Sequence, residues 1–421
     1  MRLLLGDCLI KLKELEDNSI DAIVTDPPYG LSFMGKKWDY DVPKKEIWQE
    51  CLRVLKPGGY LLSFAGTRTQ HRMAVNIEDA GFEIRDMIAW VYGSGFPKSL
   101  NIGKAVDKLQ GNEREELGDI KPAGFKTAAS GYTDTKAWSG KVSKGTSQWE
   151  GWGTALKPAL EPITVARKPL EKGLNVASNC LKWGVGGINI DGSRVGSEDD
   201  LTKRYNSSFQ EGNSQFVSET ATKSGNRMEI KAPEGASLGR FPANLIHDGS
   251  DEVVGLFPQT GKSTGGQSYS KTSKIYGEYS NDRTVKGCGF GDTGSSARFF
   301  YCAKASKRER NIGCEGLEES IVNDGRETDI DNAFQRGITL RKNTHPTVKP
   351  IALMEYLVKL VSREGQVILD PFMGSGTTGM ACKKLNRDFV GIEMMEDYME
   401  IAKCRIGAVG VEQQFKLEDS N

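Results

Sequence analysis

The sequence lacks the cysteine patterns of a disulfide-stabilised or zinc-binding protein. Its eight cysteines are scattered, and none forms a Cys-x-x-Cys pair. Structural disulfides and a zinc site are therefore disfavoured. Four residues with irregular spacing could converge on a metal, but this spacing favours free thiols, and no metal is predicted; they are Cys288, Cys302, Cys314 and His345.

Long apolar runs and a charge excess of either sign are also missing. No stretch is long enough to cross a bilayer, and the first seven residues contain no secretory signal, so we expect a soluble, cytoplasmic protein without a membrane partner. Lys plus Arg and Asp plus Glu number 56 each. This balance excludes a purely electrostatic nucleic-acid binder, and any such binding must come from a local patch.

At its two ends the 421-residue chain alternates short apolar runs with amphipathic segments, a pattern that predicts an α/β fold. The middle is rich in Gly, Ser, Thr, Asn and charge over lengths that exceed simple connections, which indicates inserted recognition elements. We predict six segments: a first half-domain 1–92, an insertion 93–158, a returning strand 159–170, a second insertion 171–343, a second half-domain 344–408 and a tail 409–421.

Turn residues and apolar periodicity give the predicted element bounds. Strands are predicted at 3–5, 20–25, 60–64, 82–92, 160–167, 366–369 and 388–392. Helices are predicted at 8–16, 69–80, 350–362 and from the glycine-rich turn to 384. The run Lys56-Pro57-Gly58-Gly59 is predicted to end a helix before the strand at 60–64.

An acid, two prolines and an aromatic ring follow the predicted strand 20–25: Asp26-Pro27-Pro28-Tyr29. A carboxylate can accept one N–H, the carbonyl of Pro27 a second, and Tyr29 offers a stacking surface. Asp and Pro are also common in simple turns. The run suits a site that holds a planar amine by its edge and its face.

A second candidate site follows the predicted strand 366–369. Gly374 and Gly376 allow close approach of the backbone to a ligand, and the next helix begins there with free N–H groups. Gly374-x-Gly376-x-x-Gly379 also matches the dinucleotide fingerprint. No Lys-Ser/Thr pair follows, which argues against a phosphate-binding P-loop. Glu393, at the end of the next strand, could bind ribose hydroxyls of either NAD or S-adenosylmethionine.

Three motifs in this chain order carry a family resemblance: D-P-P-Y, H-P-T-x-K-P at 345–350, and D-P-F-x-G-S-G-T-T from Asp370. The chain resembles the β-class DNA amino-methyltransferases, which methylate adenine N6 or cytosine N4 with S-adenosylmethionine. The resemblance implies a Rossmann-like methyltransferase fold. It also implies a mostly parallel seven-stranded sheet with helices on both faces, a circularly permuted motif order and large insertions, of which 171–343 is the natural place for target recognition.

The resemblance also implies roles for individual residues. The catalytic residues would be Asp26, Pro27, Pro28 and Tyr29. The cofactor-binding residues would be Asp7, Asp370, Pro371, Phe372, Gly374, Ser375, Gly376, Thr377 and Glu393. Thr347 and Lys349 would shape the methionine side of the cofactor, or alternatively cap the helix that begins at residue 350. Trp90 or Tyr92 would form the wall opposite Tyr29, or pack in the core.

The first residue of D-P-P-Y favours adenine N6, since the cytosine-N4 enzymes that this chain resembles more often carry serine there. Cytosine N4 is the alternative. Carbon-5 methylation is disfavoured because the chain has no Pro-Cys pair. An inactive cofactor-binding regulator, an NAD oxidoreductase and a protein or RNA methyltransferase are further alternatives. The implied partners are double-stranded DNA with a flipped base, a separate restriction nuclease and a second copy of the chain.

Overall fold

The computed structural model describes residues 1–31, 37–93, 95, 99–119, 141–195, 240–261, 294–303, 308–322 and 339–410. Within these ranges the chain forms two compact units: the first lies within 1–189, 244–250 and 303–421, and the second within 190–243 and 251–302. No helix in the described ranges combines the length and apolar character needed to cross a membrane. The six predicted segments stay predictions.

A mixed sheet forms the centre of the first unit. The strands of the first unit lie in it in the order β1 (Arg2–Leu5), β15 (Asp388–Glu393), β14 (Val367–Asp370), β2 (Ile20–Thr25), β3 (Leu55–Phe64), β7 (Leu160–Arg167), β4 (Glu83–Val91) and β8 (Leu245–His247). All neighbours run parallel except at β7, which is antiparallel to β3 and to β4. The mostly parallel sheet is confirmed. The predicted count of seven strands is wrong, because β8 adds a strand beside β4 from within the predicted second insertion.

Helices of the first unit cover both faces of this sheet. They are α1 (Cys8–Leu12), α2 (Lys45–Val54), α3 (Gln70–Asp79), α4 (Ile102–Gln110), α5 (Val176–Trp183), α7 (Ile351–Val361), α8 (Thr377–Lys384) and α9 (Glu396–Ala408). Side chains of α1, α2 and α3 form a core with Ile23, Leu61 and Leu369. Successive strand side chains point to opposite faces, and α7, which is buried around most of its circumference, contacts β2 and β3.

Most predicted element bounds agree with the structure to within one or two residues, and β2 and β7 have the predicted bounds. Two predictions are wrong. Helix α1 ends at Leu12 rather than residue 16, since the chain then continues in turns. The predicted helix stop at 56–59 lies inside β3, where Gly58, at φ +83°, donates its N–H to the carbonyls of Lys168 and Pro169. These partners keep the segment extended despite the shift in its pairing with β2.

The antiparallel pair β4 and β7 carries the first predicted insertion between its strands. Its described part contains α4 and a short hairpin of β5 (Glu115–Asp119) and β6 (Lys141–Lys144). The guanidinium of Arg114 forms ion pairs with Asp107 of α4 and with Glu150. A buried cation thus ties the helix to the segment that returns to β7.

Strands β12 (Ser320–Val322) and β13 (Thr339–Arg341) form an antiparallel pair in the first unit. The described part of the second unit contains α6 (Asp251–Val254), β9 (Gln259–Thr260), β10 (Gly294–Ser295) and β11 (Tyr301–Cys302). In this unit the guanidinium groups of Arg240 and Arg298 each lie 4.5 Å from the ring centroid of Phe299. Most of the segment predicted to recognise the target lies outside the described residues, so that role stays a prediction.

Candidate active site

The two candidate loops meet at one edge of the sheet because β2 and β14 are parallel neighbours. Thr25, the last residue of β2, donates its hydroxyl to Asp370 Oδ1 at 2.6 Å, and Thr378 donates to Asp370 Oδ2 at 2.6 Å. Burial raises the pKa of Asp370 to about 6. One buried hydrogen bond therefore joins the strand that delivers Asp26 to the strand that delivers the glycine-rich loop.

Asp26 lies in a group of four linked side chains, Asp26, Tyr29, Glu161 and Lys349, which we call the Asp26 cluster. The Tyr29 hydroxyl donates to Asp26 Oδ1 at 2.7 Å, and the Lys349 ammonium donates to Asp26 Oδ2 at 2.7 Å. Glu161 Oε2 lies 3.0 Å from the Tyr29 hydroxyl and 3.2 Å from Lys349 Nζ. Both oxygens of Asp26 are thus engaged by donors that Glu161 also contacts.

The electrostatics of the Asp26 cluster fix the protonation of two members. Burial, together with the charges of Asp26 and Glu161, raises the pKa of Tyr29 well above its ordinary value, so its hydroxyl stays protonated and neutral. Burial alone would lower the pKa of Lys349, but Asp26 and Glu161 outweigh it and raise that pKa. Lys349 therefore stays an ammonium although its side chain is only 8% exposed.

A buried carboxylate holds the D-P-P-Y turn from outside the motif. Asp39 Oδ1 accepts the backbone N–H groups of Tyr29 at 2.7 Å and Gly30 at 2.9 Å, and Asp39 Oδ2 accepts that of Leu31 at 3.3 Å. Thr69 donates its hydroxyl to the carbonyl of Tyr29 at 2.6 Å. These bonds fix the backbone that carries the Tyr29 ring.

Aromatic side chains line one side of the Asp26 cluster. Trp90 is buried against Phe64, and its ring centroid lies 4.8 Å from that of Tyr92. Burial and then Glu161 raise the pKa of Tyr92. The ammonium of Lys349 lies 5.4 Å from the ring centroid of Tyr29. Trp90 is thus a packing residue in this structure, whereas half-buried Tyr92 reaches Glu161.

The glycine-rich loop needs its glycines for two physical reasons. Gly374 and Gly376 adopt φ +53° and +78°, in the left-handed region that glycine favours. A Cβ on Gly374 would lie 2.6 Å from His345 Nε2, whereas one on Gly379 would lie 2.5 Å from Ile406 Cδ1. The first glycine therefore makes room for the His345 ring, and the third allows α8 to pack on α9.

Glu393 and Asp7 lie at the adjacent ends of β15 and β1. Glu393 accepts the backbone N–H groups of Gly374 and Met395, each at 2.8 Å, and burial raises the pKa of its carboxyl. Asp7 caps α1 by accepting the N–H of Ile10 at 3.2 Å. The structure thus brings the two predicted cofactor acids to the edge of the glycine-rich loop.

A buried arginine supports the same loop from behind. Arg405 of α9 donates to the carbonyl of Ser375 at 2.6 Å, to its hydroxyl at 2.9 Å and to the Thr377 hydroxyl at 3.0 Å. Its side chain is fully buried, and burial lowers its pKa to about 10. Pro371 is buried beside the loop, while Phe372 packs its edge on Trp48 in the core.

The H-P-T-x-K-P segment lies between the two loops. The Nδ1–H of His345 donates to the carbonyl of Thr347 at 2.7 Å, and burial lowers the pKa of this imidazole to about 4. The His345 ring stacks with Trp38 at 6.5 Å and meets the Tyr398 ring edge-on at 4.6 Å. The Thr347 side chain is exposed. The roles predicted for Thr347 and Lys349 at the methionine side stay predictions, and the ammonium of Lys349 contacts Asp26.

Asp39, Glu161 and Arg405 were not found from the sequence. Each is a charged residue outside the three motifs, and its partners lie elsewhere in the chain. One signal in the sequence could have found such a residue, namely a charged side chain within an apolar stretch, as Arg405 is in α9. In the part of the chain that the structure describes, no three His, Cys, Asp or Glu side chains are placed to hold a metal ion, and Cys288 lies outside it.

A mostly parallel α/β sheet with the D-P-P-Y turn and the glycine-rich loop on neighbouring strands is the fold class of the S-adenosylmethionine-dependent methyltransferases. Within that class, the chain belongs to the N6/N4 DNA methylase family, whose model matches residues 20–182 and 257–404, more than half of the chain. It is therefore a DNA methyltransferase, and the methyl donor is S-adenosylmethionine. Members of this family act on exocyclic amino groups of bases, so the family match leaves adenine N6 and cytosine N4 both open.

Individual relatives are more distant. The chain is 23% identical over 446 residues to the type II methyltransferase M.HindIII of Haemophilus influenzae, covering 96% of this chain and 94% of that protein. It is 35% identical over 118 residues to M2.DpnII of Streptococcus pneumoniae, covering 28% and 44%. Among solved structures, the M1.HpyAVI–SAM complex gives a TM-score of 0.38 at 16% identity, covering 96% of this chain and 98% of that one.

Proposed function

We propose that this chain transfers a methyl group to adenine N6 in double-stranded DNA, with cytosine N4 as the alternative on the same scaffold. The observation that carries the proposal is the position of Asp26, whose carboxylate lies at the end of β2 beside the glycine-rich loop. The aspartate in the first position of D-P-P-Y is the reason for preferring adenine. The choice rests on the family resemblance of that motif.

The residues around the glycine-rich loop fit S-adenosylmethionine. The left-handed glycines Gly374 and Gly376 shape the loop, and the acids Glu393 and Asp7 at one edge suit the hydroxyl and amino groups of an adenosine. Asp370, Pro371, Phe372, Ser375, Gly376 and Thr377 would form the rest of this site. When bound, the cofactor supplies an electrophilic methyl group.

Asp26 would make the target amine reactive. The lone pair of an exocyclic base amine is delocalised into the ring, and hydrogen bonds from its N–H groups to Asp26 and to the Pro27 carbonyl favour a pyramidal nitrogen. The same carboxylate stabilises the positive charge that develops on that nitrogen. The proton then lost from the nitrogen passes to Asp26 or to water.

The base must leave the duplex to reach Asp26, at a cost of a few kcal/mol. The Tyr29 ring would stack on it, and half-buried Tyr92 is the better candidate for the opposite wall, since Trp90 is packed against Phe64.

We further propose that the enzyme works in the cytoplasm, as a homodimer and with a separate nuclease. The type II classification of M.HindIII and M2.DpnII supports the last point.

Product analysis tests this proposal. The full-length protein is incubated with labelled S-adenosylmethionine and mixed-sequence duplex DNA, and the DNA is digested to nucleosides for mass spectrometry. Label in N6-methyladenine is the expected result. Label in N4-methylcytosine would retain the mechanism and replace the substrate, and absence of label despite measurable cofactor binding would contradict a DNA substrate.

A further inference from the structure

Glu161 is the member of the Asp26 cluster that no motif includes. It lies on β7 opposite Trp90 of β4, and its side chain is 19% exposed. Its carboxylate contacts the hydroxyl of Tyr29 and the ammonium of Lys349, the two donors that engage Asp26. An ion pair that only stabilised the fold would need one of these two contacts and not both.

The charges of the cluster explain why a second carboxylate is useful. Asp26 and Lys349 form an ion pair at 2.7 Å, and alone they would leave no net charge where positive charge develops on the amine. Tyr29 is neutral, so Glu161 leaves the cluster with one net negative charge. Because the side chain of Lys349 is only 8% exposed and those of Asp26 and Glu161 are 19% exposed, solvent screens the cluster only partly, and one uncompensated charge has a marked effect on a charged transition state.

The geometry gives Glu161 a second task. Each Asp26 oxygen already accepts one hydrogen bond, so a target amine either shares that oxygen with the donor or displaces the Tyr29 hydroxyl or the Lys349 ammonium. Glu161 Oε2 lies 3.0 Å from the Tyr29 hydroxyl and 3.2 Å from the Lys349 ammonium. Either donor therefore keeps an acceptor when it leaves Asp26, and the buried ammonium is never left unpaired.

We propose that Glu161 is a positioning residue for methyl transfer. It holds Lys349 and Tyr29 in place while Asp26 binds the amine, and it gives the cluster its net negative charge. This inference rests on the proposed function, and it holds for either adenine N6 or cytosine N4. Glu161 does not contact the reacting atoms and acts through Lys349 and Tyr29.

Single-turnover methyl transfer on the full-length protein tests this role, with saturating cofactor and duplex DNA. Glu161→Gln has nearly the same shape and removes only the charge, so we expect the rate to fall about 100-fold with the Kd for S-adenosylmethionine unchanged. Glu83→Gln is the matched control. It removes a Glu–Arg ion pair with Arg167 from the same two strands at their other end, and we expect its rate within about twofold of wild type.

A second substitution separates charge balance from folding. Adding Lys349→Met to Glu161→Gln removes the cation that neutralises Asp26 and restores one net negative charge. We expect the double variant to be about tenfold faster than Glu161→Gln, although it carries one more buried substitution. Damage to packing would make it slower.

The outcomes separate this inference from the proposed function. A Glu161→Gln rate within threefold of wild type, or a double variant no faster than Glu161→Gln, overturns the role of Glu161 while wild-type methylation stands. Absence of methyl transfer by the wild-type protein in the same assay overturns both. A weaker Kd for S-adenosylmethionine in Glu161→Gln would assign the residue to the cofactor site and contradict the inference.

Discussion

The Asp26 cluster and the glycine-rich loop lie at the same edge of one sheet, yet they are built differently. The cluster consists of four charged and polar side chains from three separate places in the chain, held to one another at 2.7 to 3.2 Å. The loop is a continuous backbone segment with left-handed glycines, supported by Arg405 and Glu393. The comparison indicates that the first region depends on charge balance and the second on backbone shape.

The largest effect is expected at Asp26. Asp26→Ala removes the carboxylate of the D-P-P-Y turn that is proposed to accept the amine, so methyl transfer should fall at least about 1,000-fold. The Kd for S-adenosylmethionine should stay near that of wild type, because the glycine-rich loop is unchanged. Single-turnover assays and calorimetry check the two parts, and substantial transfer by this variant would contradict the mechanism.

The opposite result is expected at Gly374. In Gly374→Ala, the new Cβ would lie 2.6 Å from His345 Nε2, an overpacking that costs about 1–3 kcal/mol in addition to left-handed strain of about 1–2 kcal/mol. Because the clash and the strain both distort the loop that would hold the cofactor, binding of S-adenosylmethionine should weaken at least about tenfold, as measured by calorimetry.

Gly365→Ala is the matched control for that variant. Gly365 has φ +74°, but no atom lies within 4 Å of the position of its Cβ, so the strain is present without the clash. We expect a loss of stability of about 1–2 kcal/mol and an unchanged Kd. Equal losses of cofactor affinity in both variants would show that strain alone, and not the space beside His345, governs binding.

An intermediate effect is expected at Asp39. Asp39→Asn retains the shape of the side chain and removes the charge that accepts three backbone N–H groups of the turn, so transfer should fall about tenfold. Asp41→Asn is the matched control, since among the described residues Asp41 accepts the N–H of Val42 and none from the D-P-P-Y turn, and its rate should stay within about twofold. A weaker Kd for the cofactor in Asp39→Asn would remove the distinction between the two regions.

The smallest effect is expected from Tyr29→Phe. It removes one neutral hydroxyl that donates to Asp26 and retains the ring, so transfer should slow about threefold to tenfold. Tyr29→Ala also removes the stacking surface, which is worth about 1–3 kcal/mol per base, and should be slower still. If the two variants are equally slow, the hydroxyl and not the ring is what matters at this position.

The two regions also differ in how well the sequence predicted them. The glycine-rich loop is a contiguous motif flanked by an apolar strand and a helix, and α8 and β14 lie within one residue of their predicted bounds. In the sequence, Glu161 is one of 56 acidic residues. The residues after it have an ordinary strand pattern, so nothing marks Glu161 as a site residue. Its distance from Tyr29 is set by the antiparallel position of β7, which only the assembled sheet determines.

Asp39 illustrates the same limit at short range. It lies ten positions after Tyr29, but no periodicity or spacing rule marks a carboxylate that folds back onto a preceding turn. The added strand β8 escaped prediction because it has only three residues within a polar segment. A short strand that is stabilised mainly by pairing with its neighbour has little recognisable pattern in its own sequence.

The order in which the sheet is assembled has a consequence for protein synthesis. Within the part of the chain that the structure describes, β1 pairs with β15 alone, and the Thr25–Asp370 hydrogen bond joins residues 345 positions apart. On the ribosome, the D-P-P-Y turn emerges long before its partners, since Lys349 follows Tyr29 by 320 positions and Asp370 follows Thr25 by 345. A nascent chain therefore has no complete site, and the enzyme can begin to modify its substrate only after the segment that carries the glycine-rich loop has been made.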